Sequence, residues 1–186
     1  MKNLHKVLSC FVLLCCFHFA YAQQQPIAKY SASVENRPGS SRGLVPITIN
    51  IYSYTPDDEV KKYAEALKTG GQDALDKAIW NVKRGHVTQV GGVGLDINYA
   101  REIDTPNGKM IRMVSSRPMS IYEFGRNVPS TDYPFGVIEI TVGKDGKMTG
   151  KVIGAAKLKL TPDNILQIET YGSRSARLLS VKQDVK

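Results

Sequence analysis

Apolar residues recur along this chain in three rhythms, and each predicts a different element. Residues 7–19 form an almost unbroken apolar run including Leu8, Phe11, Leu13, Leu14 and Phe17, preceded by Lys2 and Lys6 and followed by Ala20-Tyr21-Ala22. A short basic segment, an apolar run too short to span a bilayer and a small-x-small tripeptide make an export leader, with cleavage expected after Ala22. From Pro46 the rhythm becomes alternation. Ile47, Ile49 and Ile51 interleave with Thr48, Asn50 and Tyr52, which puts three isoleucines on one face of a strand. The third rhythm is helical: Val60, Tyr63, Ala64 and Leu67 form one stripe, and Leu75, Ala78, Ile79 and Val82 form another. Thr55 suits the N-cap, Pro56 the first helical position, and Asp57-Asp58-Glu59 the positive end of the dipole. With Gly70-Gly71 stopping the first helix and Gly85 the second, the segment predicts a two-helix hairpin.

Alternation returns downstream, and tight turns set its registers. If Ile138, Ile140 and Val142 share a face with Met148 and Val152, the loop between them holds an odd number of residues, which selects Lys144-Asp145-Gly146 with a left-handed Gly146. Val142 then lies opposite Met148, Thr141 opposite Thr149 and Glu139 opposite Lys151, each a favourable cross-strand pair. The same reasoning with Pro106-Asn107-Gly108 pairs Ile103 with Ile111 and Glu102 with Arg112. With Pro162-Asp163-Asn164 it pairs Leu160 with Leu166, Leu158 with Ile168 and Lys157 with Glu169. A last strand near residues 176–182 closes the meander. Between residues 147 and 160, Lys147, Lys151, Lys157 and Lys159 have one parity, and Met148, Val152, Ala156, Leu158 and Leu160 the other. That pattern predicts a basic outer face over an apolar inner one.

The expected class is α+β: a mainly antiparallel sheet, arranged as a meander or curled into a partly open barrel, with an inserted two-helix hairpin. The expected divisions are a leader at residues 1–22, a flexible segment with one weak alternating patch at 23–45, and a single domain at 46–186. Composition narrows the chemistry. Cys10, Cys15 and Cys16 all lie in the leader, so the mature chain is expected to be cysteine-free, which excludes thiol catalysis and Cys-based zinc. Lys2 and Lys6 leave with the leader, lowering the formal charge from +8 to +6. Residues 143–186 hold 9 basic and 4 acidic groups, so nearly all the excess is C-terminal. No aromatics interleave with those lysines, which argues against nucleic acid; a solvated face whose lysines guard against edge pairing is the stronger reading, and the partner stays open, with an anionic envelope polymer or a small ligand as the candidates. After the leader, no apolar run is long enough to cross a membrane.

Motifs add little catalysis. Gly39-Ser40-Ser41-Arg42-Gly43 matches G-x-S-x-G, but Glu35-Asn36-Arg37-Pro38 is no strand and no helix follows, so a linker is the expectation. Gly91-Gly92-Val93-Gly94 precedes the strand pattern Leu95, Ile97, Tyr99 and lacks the helix a phosphate loop needs. His86 is read as a cation at the end of the second helix. A lone histidine makes no zinc site, and the acidic clusters lack calcium-loop spacing, so neither metal nor cofactor is expected. Trp80 lies off the helical stripe and is expected to be partly exposed. The most site-like stretch runs from Arg117 to Gly136, where Arg117, Tyr122, Arg126, Asp132, Tyr133 and Phe135 concentrate aromatic and charged groups in one long connection. The competing reading, that these aromatics plug the ends of the sheet, is the stronger one.

Four runs carry a resemblance: Ser130-Thr131-Asp132-Tyr133-Pro134-Phe135-Gly136-Val137-Ile138-Glu139, Ile153-Gly154-Ala155-Ala156-Lys157, Ile168-Glu169-Thr170-Tyr171-Gly172 and Gly71-Gln72-Asp73-Ala74-Leu75. Together they resemble a family of small exported bacterial proteins of unknown function, over most of residues 47–179. The resemblance implies export and carries no activity or site. The functional expectation is an exported, periplasmic or extracellular, non-enzymatic binding or envelope-associated protein. The alternatives are an enzyme whose groups, such as Asp132, Glu123 and Arg117, converge only in the fold, and a structural or assembly component.

Overall fold

The computed structural model describes residues 25–35, 43–89, 92–119, 132–162, 166–170 and 175–184. The leader, the Gly39-Ser40-Ser41-Arg42 part of the serine motif and Tyr122, Glu123 and Arg126 lie outside the described residues. In chain order the elements are β1 (Ala28–Glu35), β2 (Leu44–Ile51), α1 (Asp57–Ile79), β3 (Gly85–Gln89), β4 (Leu95–Ile97), β5 (Tyr99–Thr105), β6 (Gly108–Ser115), β7 (Phe135–Gly143), β8 (Met148–Leu160), β9 (Leu166–Thr170) and β10 (Ala176–Gln183).

The strands form one antiparallel sheet in the order β4-β3-β2-β1-β10-β8-β7-β6-β5, with β9 on β8. The two ends of that order, β4 and β5, are separated in the chain by Asn98 alone, whose N–H donates to the Val114 carbonyl at 2.8 Å. One bent segment therefore pairs β3 with its first half and β6 with its second, and the sheet curls into a nearly closed barrel. Closure protects edges that would otherwise present unpaired backbone groups.

Alternation explains the interior. Ile47, Ile49 and Ile51 of β2 point inward as their spacing requires, against Tyr30 and Val34 of β1 and Ile138 and Ile140 of β7. The weak alternation from Ile27 to Val34 makes β1 a full strand, paired along all eight residues with β2 and also bound to β10. A second core lies outside the barrel, where Tyr63, Leu67, Leu75 and Ile79 of α1 cover Val114, Phe135, Val137 and Ile153. β7 is thus buried on both faces from Phe135 to Ile140.

Several expectations are corrected. The two-helix hairpin is not what forms: α1 is a single helical segment kinked at Gly71 (φ 66°, ψ −151°), its halves meeting there with no connecting loop, and it ends at Ile79 rather than at Gly85. His86 is consequently on β3, where its Nδ1 lies 2.7 Å from the Asp96 carboxylate. Pro56 is the N-cap. The Thr55 hydroxyl instead accepts from the Ala100 N–H at 3.1 Å, while the Thr55 N–H donates to the Ala100 carbonyl at 2.7 Å. The registers around Lys144-Asp145-Gly146 are as expected, with Val142 opposite Met148 and Gly146 left-handed at φ 78°. Those joining β8 to β9 are also as expected, although residues 163–165 of that turn lie outside the described residues.

The β5–β6 turn is one residue shorter than expected. Thr105 pairs with Gly108 across Pro106-Asn107, so Ile103 faces Met110, Glu102 faces Ile111 and Arg101 faces Arg112. Gly108 joins the ladder because, at φ 135° and without a Cβ, it fits against the Val142 carbonyl. The meander is also amended: β10 returns to pair with β1 and with only Gly150 to Val152 of β8. The single apolar face expected on β8 is two faces. A bulge between the pairs Val137–Ile153 and Phe135–Ala156 reverses its parity, so Val152 enters the barrel while Ala156 and Leu158 meet the helix.

Candidate functional site

The bulge in β8 and the short β5–β6 turn help to frame a site-like place among the described residues. Between α1 and the outer faces of β5, β6, β8 and β9 lies a cleft of about 320 Å³. Leu67, Leu75, Ile79, Val114 and Leu158 are buried around its floor, and Val60, Ala64, Ile103, Leu160 and Leu166 are half-buried around its lip. Its walls are apolar because both surfaces that frame it carry alternating or helical apolar patterns. It stays partly open because Ala64, on the facing stripe of the helix, is small. A second recess of about 510 Å³ shares Leu67, Leu158 and Leu160 and continues beneath the helix break, past Lys68 and Gln72, to Thr161 and Pro162. Gln72 anchors the helix there: its side-chain amide accepts from the Leu158 N–H at 2.9 Å and donates to the Leu158 carbonyl at 2.5 Å, continuing the β8 ladder beyond the start of β7.

Polar groups at the cleft are few and charged. Arg101 and Arg112 line it from directly opposite positions on adjacent strands. Like charges so placed repel, and the two arginines are compensated differently. Arg112 is mostly buried and grips Glu139, itself buried, with its Nε and a terminal nitrogen both 2.7 Å from Oε1. Lys151 adds a contact to the other Glu139 oxygen at 2.8 Å. Burial alone would raise the Glu139 carboxyl, but Lys151 and Arg112 outweigh it and hold it below the usual carboxylate range. Among the described residues, Arg101 has Asp57 at 2.6 Å, a carboxylate 79% exposed, and the Thr55 carbonyl at 3.4 Å. The row continues along the outside of the barrel: Lys151 lies opposite Arg177, and Arg177 opposite the buried Glu35, which it binds at 2.8 Å through Nε.

Two tyrosines complete the lining. Burial, and then a 2.6 Å hydrogen bond donated to Glu59, push the Tyr63 hydroxyl up to about 12. Glu59 is held below its ordinary value by Arg84 first and Tyr63 second. Burial also raises Tyr99. Both tyrosines are therefore neutral at physiological pH. Elsewhere, the Asp96 carboxyl that meets His86 also contacts Lys83 at 3.0 Å; burial would raise it, but these two partners hold it low. Among the described residues, no three His, Cys, Asp or Glu side chains group in a way that would hold a metal ion. No helix among them is long and apolar enough to cross a membrane.

Of the residues singled out between Arg117 and Gly136, the four that are described, Arg117, Asp132, Tyr133 and Phe135, fall in separate surroundings. The Arg117 guanidinium reaches the Gly94 carbonyl at 3.4 Å, beside the start of β4. Tyr133 donates to Glu169 of β9 at 2.7 Å, and Asp132 is exposed. Phe135 is fully buried in the core beneath α1. Trp80, just past the helix, is 57% exposed, as its position off the stripe implies. Sequence reasoning missed the cleft because it paired Arg112 with Glu102. The signal was present in the shared parity of Tyr99, Arg101 and Ile103, which set an arginine among residues facing the helix.

Compared with known proteins, the chain matches no family model, and no curated protein or solved structure is found similar to it.

Proposed function

We propose that this chain is an exported, non-enzymatic binding protein that holds a small amphipathic molecule beneath its helix. The observation that carries the reading is the cleft. At about 320 Å³ it has the size and apolar lining of a small-molecule site. The two arginines at its walls would orient a polar end, as a few well-placed polar groups do in such sites. The reading as a binder rather than a catalyst is supported by the lining itself, where Tyr63 and Tyr99 are raised far above neutrality and no acid or base stands ready to exchange a proton. Export is supported by the leader-like residues 1–22 and by the resemblance to small exported proteins.

The test is calorimetric titration of the mature chain with decanol and its shorter homologues. Saturable one-to-one binding is expected, tightening about fourfold for each methylene that enters the cleft, which corresponds to about 0.8 kcal/mol. Ala64→Trp, which places an indole in the opening, should abolish it while leaving the fold intact by circular dichroism. Absence of binding, or undiminished binding to the Trp variant, would dismiss the site.

A further inference from the structure

We infer that the molecule held in this cleft is an alkyl chain ending in one compact oxyanion, a carboxylate or a phosphate monoester, seated between Arg101 and Arg112. This deepens the reading of the cleft and rests on it. Two guanidiniums stand opposite each other on β5 and β6, an arrangement that repels unless an anion lies between or beside them. Glu139 answers Arg112 from β7, on the side away from Arg101. Among the described residues, the carboxylate that answers Arg101 is Asp57, on the solvent side at the first turn of α1.

An ion pair with a carboxylate 79% exposed is weak and exchangeable. An incoming oxyanion would take its place on the Arg101 fork, within reach of the guanidinium face of Arg112, and gain charge-assisted hydrogen bonds in surroundings drier than those of Asp57. The chain attached to that headgroup has one apolar direction to follow, over Val60 and Ala64 toward Leu67 and Leu158. Arg101 thus selects the headgroup, and Asp57 acts as a resident competitor for it.

The experiment compares decanol, decanoate and decyl phosphate on the mature chain and on Arg101→Gln, Asp57→Asn and Lys68→Gln. At least one anion is expected to bind ten-fold or more tightly than the alcohol, and the tighter of the two identifies the headgroup. Arg101→Gln should erase that preference, read as the ratio of anion to decanol affinity. Asp57→Asn should tighten the anion several-fold, and Lys68→Gln should change neither. Equal binding of alcohol and anions would overturn the headgroup assignment and leave the cleft standing. A preference lost in Lys68→Gln and kept in Arg101→Gln would place the headgroup at the recess under the helix break and overturn it as well. Binding of none of the three would overturn the cleft and the headgroup together.

Discussion

At the scale of single residues, the clearest energetic statement concerns Glu139. A carboxylate 5% exposed is tolerable only because Arg112 and Lys151 both reach it, and removing one member of such a cluster leaves the others uncompensated. Glu139→Ala is expected to destabilise by roughly 3–5 kcal/mol, read as a shift in the urea midpoint. Its pH dependence follows from the direction of the shift. Because the folded carboxyl lies below its unfolded value, its contribution is complete at neutral pH and disappears as pH falls through the folded value. Wild-type stability should therefore decline from about pH 5 downward, and Glu139→Gln, which cannot titrate there, should show a shallower decline. A wild-type curve no steeper than the variant's would contradict this account. The partnership of Glu139 with Lys151 was legible in the sequence, since their turn allowed one register. That of Arg112 with Glu139 was not, because β6 and β7 are joined by the long connection between Ser115 and Phe135 rather than by a tight turn whose length would select one register.

At the scale of elements, Gly71 decides what the helical segment becomes. Its φ of 66° and ψ of −151° belong to a region that essentially only glycine occupies. Gly71→Ala is expected to cost roughly 1–3 kcal/mol, or several degrees in Tm. An unchanged melting temperature would show that the break is not required. Both apolar stripes were legible at 3.6-residue spacing, and both face the sheet. The joint between them was not, because Gly-Gly reads equally as a stop and as a kink, and only docking on one sheet surface favours the kink. β8 teaches the same lesson. Its apolar parity was plain, but a bulge at Gly154-Ala155 divides that parity between two cores, and a bulge leaves little local mark beyond a glycine. β1, with small residues alternating against polar ones, looked frayed because its burial comes from neighbours on both sides rather than from its own hydrophobicity.

At the scale of the whole molecule, Asn98 holds the barrel's seam. Its side chain accepts from the Ser116 N–H at 2.8 Å and donates to the carbonyls of Val82 and Trp80 at 2.8 and 3.2 Å, while its backbone joins Val114. Asn98→Ala would strip partners from three backbone groups at a buried position, with an expected penalty of about 1–3 kcal/mol for each group left unsatisfied. Hydrogen exchange should then accelerate first in β4 and β5; uniform acceleration across the sheet would argue that the seam is not a separate point of weakness. Mainly antiparallel, barrel-like architecture was legible from alternation and turns, whereas the identity of the closing strand was not, since a single residue separates the two halves of the segment that completes the ring.

β7, finally, is a party wall. Phe135 and Val137 look into the space that the helix roofs, while Ile138 and Ile140 look into the drum behind it. With both sides of one strand packed tight, a truncation at Phe135 or Val137 would loosen the drum as well as the roof.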